Sequence, residues 1–575
     1  MNRQYSWLRE NAPHRTAHSL LSAVFCHSCL MGKMLLCRAY PAIERRHNPK
    51  RKNNMNGATA LIETLADCGV ELCMANPGTS EMHLVQALDS VPRIRSVLAL
   101  FEGVATGAAD GYGRMTGKPA ATLLHLGPGM ANGIANLHNA RRANAPIINL
   151  IGNHPNFHVG YDAPLTSDID TLARNFSTWI KSSSTEKTLA QDGADAYTAT
   201  LRQSVGTVGQ ISTLILGADA AWGDSLGKVQ PNPLPLRSKI HDQTVENVAN
   251  TILSGGKTAM LLEHHACDQA AMEFASKIAS KTGCTLFNGT FPGRAEGGPG
   301  RVAVNRLPYF PEQILAALKS FDNVILVGGQ IPASFFAYRG VPGQLIPEGC
   351  KVSRLTYRED DAIDALERLT ARLDASSSEI VRFQKEDIPK PTGELHNVSI
   401  IQSIAATLPE DVIVTTDSGG GNAAYGMCQK AARNTWLSLT GGAIGQGGPC
   451  AIGAALACPD RQVLALLGDG GAAYTNQSFW TQAREGLNVT TVIFANNKYN
   501  ILNVEYGRIG VKEMGDTAAS LFDISNPIID WVAMAASMGV PGGRADTCEE
   551  LCALLEKSYA TPGPFLIQAS GELQR

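Results

Sequence analysis

Short apolar runs alternate with helix-like segments along most of the chain, beginning at Met55. The runs are continuous rather than alternating with polar residues, and Gly, Asn or Pro typically follows them. Continuous apolar strands separated by helices predict parallel sheets buried on both faces. Ser80 is expected to cap a helix that begins at Glu81. The predicted strands are Val70–Met74, Ser96–Phe101, Ala120–Leu126 and Pro146–Ile151, then Thr258–Leu262, Thr285–Phe287 and Val324–Val327, and finally Val412–Thr415, Gln462–Leu467, Val489–Ala495 and Phe565–Ala569.

Two segments rich in Pro, Ser and Gly, near residues 220–245 and 375–395, divide this pattern into three blocks. A chain of 575 residues also exceeds what one hydrophobic core usually serves. The fold class predicted is therefore α/β, with three doubly wound parallel-sheet domains. Their expected bounds are residues 55–225, 240–375 and 395–575, preceded by a basic extension at residues 1–54.

Residues 1–54 differ from the rest of the chain because they are rich in Lys and Arg. We expect this extension to be disordered, with the working protein starting at Met55, and a targeting leader is the alternative. Its apolar stretch Ser19–Cys37 is interrupted by His27 and Lys33, so we predict no membrane span.

Composition excludes some classes of function. The formal net charge of -3 provides no broad positive field for nucleic acid, so no nucleic-acid partner is expected. The 13 cysteines are scattered mostly singly through apolar segments, which is typical of reduced thiols and predicts a cytoplasmic location.

The strongest local pattern is the triplet Gly468-Asp469-Gly470, which follows one predicted strand, while Asn496-Asn497 follows the next. A strand-helix-strand unit brings the ends of both strands to the same edge of a parallel sheet. A carboxylate and an amide carbonyl there form a hard oxygen site for Mg²⁺, which takes its other ligands from phosphate and water. An ordinary exposed turn is the alternative interpretation.

This spacing resembles the signature of thiamine-diphosphate-dependent enzymes, in particular those of the acetolactate synthase and benzoylformate decarboxylase type. The resemblance implies that thiamine diphosphate and Mg²⁺ are cofactors. The metal ligands implied are Asp469, Asn496 and the backbone carbonyl of Lys498, and the adjacent Asn497 remains an alternative to Asn496. The resemblance also assigns Gly470 and Gly471 to cofactor binding.

Glu102, at the end of a predicted strand and before Ala-Asp-Gly-Tyr, resembles the strand-end glutamate of the same enzymes. In that family a buried carboxyl exchanges a proton with N1′ of the aminopyrimidine, so that the cofactor's own imino group can deprotonate the thiazolium carbon. This is a general acid-base role that suits a desolvated Glu. A helix-terminal charge stabilised by the helix dipole is the alternative.

Two further loops resemble cofactor-binding segments of the family. In the first, the Gly442 carbonyl would accept a hydrogen bond from the 4′-amino group, and Ile444 would hold the two cofactor rings bent. A Gly-rich helix start with one core Ile is the alternative. In the second, the backbone amides of Asp417, Ser418 and Gly419 would suit a phosphate.

The resemblance covers essentially all of residues 55–575, with the glutamate block first and the Gly-Asp-Gly block last. It implies that one subunit binds the pyrimidine end and another the diphosphate end. A homodimer is then the minimum active unit, and a homotetramer is expected. The reaction implied is loss of CO₂ from a small 2-oxo acid, after which the remaining acyl unit takes a proton or a second carbonyl compound.

His125 and Thr79 resemble two active-site residues of benzoylformate decarboxylase, and a neutral histidine moves protons near pH 7. A core histidine at a strand end is the alternative. The second histidine of that enzyme has no match, because the comparable stretch is Pro292-Gly293-Arg294-Ala295-Glu296-Gly297. Acetolactate synthase usually has Gln where Gly103 stands, and also a long C-terminal segment over its active site.

The first function predicted is therefore acetolactate synthase-like, a carbon-carbon lyase or transferase of branched-chain amino acid biosynthesis that acts on pyruvate or a related 2-oxo acid. A benzoylformate-type decarboxylase of aryl or branched 2-oxo acids is the second. A catalytically silent, cofactor-binding regulatory paralogue is the third. FAD, which acetolactate synthase carries in its middle block, stays an open possibility, because Gly328-Gly329 is a weak phosphate pattern.

Overall fold

The first of three sheets contains the strands from the first third of the chain. A computed structural model describes residues 55–201 and 210–570. The strands are β1 (Leu72–Asn76), β2 (Arg95–Leu98), β3 (Ala120–His125), β4 (Pro146–Asn153), β5 (Trp179–Ser183) and β6 (Gln210–Gly217), in the order β2-β1-β3-β4-β6-β5. The helices are α1 (Gly57–Cys68), α2 (Met82–Ser90), α3 (Glu102–Thr116), α4 (Leu126–Ala143), α5 (Asn156–Val159), α6 (Ile169–Arg174), α7 (Leu189–Leu201) and α8 (Ala218–Trp222).

The middle segment forms a five-stranded parallel sheet and contributes one strand elsewhere. Its strands are β7 (Thr258–Leu262), β8 (Thr285–Asn288), β9 (Ala295–Gly297), β10 (Asn305–Arg306), β11 (Asn323–Val327) and β12 (Lys351–Thr356). The sheet order is β10-β8-β7-β11-β12, and β9 instead belongs to the third sheet. The helices are α9 (Asp242–Leu253), α10 (Gln269–Thr282), α11 (Pro311–Leu318) and α12 (Ala362–Arg372).

The third sheet has seven strands in the order β17-β18-β16-β15-β13-β14-β9. These are β13 (Val412–Thr416), β14 (Asn434–Leu437), β15 (Val463–Gly468), β16 (Val489–Phe494), β17 (Gly542–Ala545) and β18 (Phe565–Ala569), with β9 antiparallel to β14. The helices are α13 (Asn397–Thr407), α14 (Gly419–Ala431), α15 (Gly447–Ala457), α16 (Asp469–Tyr474), α17 (Ser478–Glu485), α18 (Asn500–Arg508), α19 (Asp516–Phe522), α20 (Trp531–Ser537) and α21 (Cys548–Tyr559).

The predicted fold class, three parallel-dominated α/β sheets, is confirmed. The first and third sheets share one strand order, apart from the added β9. In both, the order reverses between the first and third strands of the sheet, and such a reversal opens a crevice at the carboxyl ends of the strands. The basic extension at residues 1–54, and the predictions made for it, lie outside the described residues. Among those described, no helix is both long and apolar enough to cross a membrane.

Several predicted boundaries were wrong, and two of them lie beside candidate site residues. Glu81 does not begin the second helix with Ser80 as its cap, because Thr79–Glu81 form a 3₁₀ turn and α2 starts at Met82. The Glu81 carboxylate instead accepts a hydrogen bond from the Gly78 amide and is fully buried. The strand predicted to run to Phe101 ends at Leu98, and Glu102 is the first residue of α3.

The first and third sheets are joined by the close packing of α3 on α15. A Cβ on Gly453 would lie 1.9 Å from the Ala108 carbonyl oxygen, and one on Gly111 would lie 2.1 Å from that of Cys450. One continuous apolar core extends across this contact from the first sheet to the third. Glycine on both helices therefore allows their backbones to touch.

Replacing Gly453 by Ala should lower the free energy of unfolding by about 3 kcal/mol, because the added methyl group overpacks the α3–α15 contact. Gly426→Ala is the matched control, since this helical glycine of α14 has no atom near the position of a Cβ. The control should gain about 0.5–1 kcal/mol from helix propensity. Urea unfolding followed by circular dichroism measures both changes, and equal behaviour of the two variants would contradict the close packing.

Candidate active site

The edge of the third sheet brings Asp469 beside Asn496-Asn497, as the sequence predicted. Asp469 lies directly after β15, and its carboxylate accepts hydrogen bonds from the Gly470 amide (2.8 Å) and the Asn497 amide (2.5 Å). Burial raises the pKa of Asp469 to about 6. The Asn496 side-chain oxygen accepts from the Lys498 amide at 3.2 Å. The residues implied as metal ligands thus lie in one cluster at the ends of the neighbouring strands β15 and β16.

This cluster of Asp469, Asn496 and Lys498 fits a metal that takes part of its ligand shell from a diphosphate. Within the described residues no cluster of three or more His, Cys, Asp or Glu could hold a metal. Asp469 supplies one carboxylate, and Asn496 and Lys498 can supply only carbonyl oxygens. Magnesium accepts such a partial set when phosphate oxygens complete its octahedron.

The neighbouring strand end holds the loop that was predicted to contact the cofactor. Asp417 accepts hydrogen bonds from the Gly445 and Gly447 amides, both at 3.1 Å, while its own amide donates to Leu466. Its amide is therefore used within the sheet rather than turned towards a phosphate, and its carboxylate fastens the loop. Ser418 caps α14, which begins at Gly419, by accepting from the Gly421 amide. The start of α14 remains the segment suited to a phosphate.

Helix α4 of the first sheet holds the other side of the same loop. Asn139 donates to the Ala443 carbonyl at 2.8 Å, and Asn136 contacts the Gly445 carbonyl at 3.3 Å. Gly442 and Gly445 have φ angles of 76° and 93°, which glycine adopts without strain. Ile444 lies between them, partly buried. Contacts from both sheets therefore fix the loop that contains Gly442 and Ile444.

Glu102 is buried at the start of α3, and its carboxylate accepts a hydrogen bond from Asn132 of α4 at 3.0 Å. Gly129 faces the second carboxylate oxygen, and a Cβ there would lie 3.3 Å away. Asn132 and Asn139 are two helical turns apart, a separation of about 10 Å. One helix therefore holds both Glu102 and the Gly442 loop. The asparagines were not singled out from the sequence, although their spacing of four and three residues marks a polar stripe on a mostly buried helix.

His125 and Thr79 lie at the carboxyl ends of the adjacent strands β3 and β1, where the strand order of the first sheet reverses. The His125 Nδ1 atom is 2.8 Å from the buried carboxylate of Glu81. Burial raises the pKa of Glu81, and its second oxygen has no protein partner. Thr79 is exposed, and Gly78 beside it leaves room for the His125 ring. Glu81 was missed, although its place three residues after Gly78 is the spacing of a capping box.

Two family models match the chain. Residues 55–174 match the description "Thiamine pyrophosphate enzyme, N-terminal TPP binding domain", and residues 419–569 match the corresponding C-terminal domain. A Mycobacterium tuberculosis protein, "Putative acetolactate synthase large subunit IlvX", is 46% identical over 516 residues, which cover 89% of this chain and 98% of that protein. This chain belongs to the thiamine pyrophosphate enzyme family.

Other relatives of this thiamine pyrophosphate enzyme are more distant. Benzoylformate decarboxylase of Pseudomonas aeruginosa is 25% identical over 547 residues, 89% of this chain and 98% of that protein. The solved Rhodococcus jostii RHA1 thiamine diphosphate-dependent 4-hydroxybenzoylformate decarboxylase has a TM-score of 0.79 at 21% identity, covering 90% of this chain and 99% of that one. The solved structure supports the fold. Membership of the family makes the chain a thiamine-diphosphate-dependent enzyme, consistent with a carbon-carbon lyase or transferase.

The Gly328-Gly329 turn of this thiamine pyrophosphate enzyme does not fit a phosphate of FAD. The turn lies where the order of the middle sheet reverses, at the crevice where nucleotides usually bind. A Cβ on Gly328 would lie 2.5 Å from the Glu263 carbonyl oxygen, and one on Gly329 would lie 2.5 Å from a Glu263 carboxylate oxygen. Glu263 thus fills the turn with a carboxyl group. We assign no role to FAD.

Replacing Glu81 by Gln keeps the shape of the side chain but removes the charge that faces His125. We expect kcat to fall roughly tenfold, because hydrogen bonds to charged groups contribute about 1.5–3 kcal/mol. Cofactor affinity should not change. In a double-mutant cycle with His125→Asn, the double variant should be no slower than His125→Asn alone.

Glu410→Gln serves as the control for this cycle, since Glu410 is exposed and ion-paired with Arg433. It should leave kcat unchanged. Strictly additive losses from Glu81→Gln and His125→Asn would show that the two residues do not act as a pair.

Proposed function

We propose that this protein is a Mg²⁺- and thiamine-diphosphate-dependent 2-oxo acid decarboxylase and carboligase of the acetolactate synthase type. Its substrate would be pyruvate or a related 2-oxo acid. One observation carries the proposal: the Glu102 carboxyl is buried at the start of α3, and its hydrogen-bond partner is the neutral amide of Asn132. A carboxyl at this position is suited to a general acid-base role.

Bound thiamine diphosphate supplies a nucleophilic carbon and a place for the electrons left when CO₂ departs. The residues around it bind and orient. Asp469, Asn496 and the Lys498 carbonyl would hold Mg²⁺, while Gly470, Gly471, Ser418 and Gly419 would surround the diphosphate. The Gly442 carbonyl would accept from the amino group, and Ile444 would support the rings. Glu102 would hold or release the proton at N1′.

A benzoylformate-type decarboxylase is the second candidate, and the pair of Glu81 and His125 favours it. The pair lies at the crevice of the first sheet beside the exposed Thr79, where His125 could deliver a proton to a product carbon. The stretch with Arg294 and Glu296 contains no histidine; these two residues pair with each other, and Ala295–Gly297 form the short edge strand β9. His125 would then be the group that delivers the proton.

The proposal extends to assembly and location. A homodimer would be the minimum active unit, with Glu102 of one subunit facing the Gly442 loop of another, and a homotetramer is the expected form. The protein would act in the cytoplasm, in branched-chain amino acid biosynthesis. A silent regulatory paralogue is disfavoured because it would have no need of a buried carboxyl at Glu102 together with one at Asp469.

Incubation of the purified protein with pyruvate, thiamine diphosphate and Mg²⁺ should release CO₂ and form acetolactate. Both products can be measured, CO₂ by a coupled assay and acetolactate by its conversion to acetoin. Phenylglyoxylate and a branched 2-oxo acid are assayed in parallel. If these acids release CO₂ while pyruvate yields neither CO₂ nor acetolactate, the benzoylformate-type decarboxylase replaces the acetolactate synthase type as the proposed function.

Replacing Glu102 by Gln should lower turnover by at least about 100-fold, because the carboxyl acts as a general acid-base group. Mg²⁺-dependent binding of thiamine diphosphate, measured by isothermal titration, should stay close to that of the parent protein. EDTA should abolish that binding in both proteins. Full turnover by the Glu102→Gln variant would refute the proposed role.

A further inference from the structure

Arg306, at the end of β10, is a largely buried cation without an acidic partner. Its Nε atom donates to the Thr290 carbonyl at 2.6 Å. Its guanidinium lies over the ring of Tyr425, 4.7 Å from the centroid, and 5.9 Å from that of Phe291. No Asp or Glu oxygen of the described residues lies within 4.0 Å of its nitrogens. Rings and carbonyls, rather than a carboxylate, surround the charge.

Part of the hydrogen-bonding capacity of this group is unused. The Nη1 atom of Arg306 and the hydroxyl of Tyr425 are both buried and have no partner in the protein. The Nη2 atom reaches Asn422 and Ser438 only at 3.4 Å each. Burial lowers the pKa of Arg306 to about 10, so the group stays charged at neutral pH. A buried charge is costly unless something pairs with it, and the unpaired Nη1 leaves Arg306 able to bind an anion.

The position of Arg306 connects it with the candidate active site. Asn422 lies in the first turn of α14, whose start is the predicted phosphate segment, and Ser438 precedes the Gly442 loop. The Phe291 ring is 5.8 Å from that of Phe335, and the tip of Phe335 lies 2.4 Å from where a Cβ of Gly442 would stand. Phe335 is still 41% exposed. Arg306 therefore lies behind an aromatic surface that borders the loop.

We propose that Arg306 binds the carboxylate of a 2-oxo acid, with the rings of Phe291 and Phe335 against the carbon skeleton of the acid. The inference rests on the proposed function and narrows it, because it names the group that selects acids over aldehydes. A guanidinium matches a carboxylate through paired N–H donors, which lysine cannot reproduce. The carboxylate could belong to the donor acid that loses CO₂ or to a second, acceptor acid.

The test uses the full-length protein with its cofactors and the variants Arg306→Met and Arg306→Lys. Arg372→Met is the control, because Arg372 is an exposed arginine that is ion-paired with Glu246. Oxamate, an inert analogue of pyruvate, is titrated calorimetrically alongside oxamide, which lacks the carboxylate. We expect Arg306→Met to weaken oxamate binding at least tenfold, Arg306→Lys to restore part of it, and oxamide to be unaffected.

Kinetics identify which carboxylate is bound. If it belongs to the donor, Arg306→Met raises KM for CO₂ release at least tenfold and changes kcat less. If it belongs to the acceptor, acetolactate formation falls more than CO₂ release does. The difference appears as acetaldehyde, formed when the acyl unit takes a proton instead of a second acid, and addition to acetaldehyde is retained. Either pattern supports the site, and both variants are first compared with the parent protein by thermal unfolding.

Three results would overturn the inference. Oxamate affinity and acid kinetics could be unchanged in Arg306→Met, or thiamine diphosphate affinity could fall instead, which would assign Arg306 to the diphosphate. The parent protein could also fail to bind oxamate. If the parent binds oxamate through Arg306 but decarboxylates no 2-oxo acid, the carboxylate site stands and the proposed function fails.

Discussion

The row of asparagine hydrogen bonds along α4 is the contact on which the candidate active site depends. Asn132 binds Glu102, Asn136 spans the carbonyls of Gly103 and Gly445, and Asn139 binds Ala443. Amide side chains both donate and accept, so they can bind loops without adding charge beside a carboxyl that must exchange a proton. Helix α4 thus fixes Glu102 of the first sheet relative to the Gly442 loop of the same chain.

The first and third sheets place their polar residues by the same rule. In each, the strand order reverses between the first and third strands of the sheet, and the side chains with candidate chemistry lie at that reversal. The first sheet presents Thr79 and His125 there, and the third presents Asp417 and Asp469. The middle sheet has the same kind of crevice, and there the Glu263 carboxyl lies against the Gly328-Gly329 turn and lines a cavity. The same topology therefore places carboxylates or other polar side chains at the crevice of each sheet.

Much of the fold followed from local pattern, because buried parallel strands are continuous apolar runs. Thr258–Leu262 and Phe565–Ala569 were predicted to the residue. The sequence also placed Asp469 directly after its strand, whereas Glu102 begins α3 and lies beyond the end of β2 at Leu98. It could not predict that Glu81 turns inward, because that depends on a 3₁₀ turn and on a histidine brought from another strand. Arg306 was equally invisible, since its environment comes from three distant segments.

The short strand Ala295–Gly297 has a consequence for the autonomy of the third sheet. It comes from the middle segment, yet it pairs antiparallel with Asn434–Leu437 and forms the outer edge of that sheet. A fragment cut at the second linker would lose this strand and leave the backbone N–H and C=O groups of Asn434–Leu437 open to other chains, as in other unprotected sheet edges. The C-terminal part of the protein therefore depends on the middle segment to keep this edge of its sheet paired.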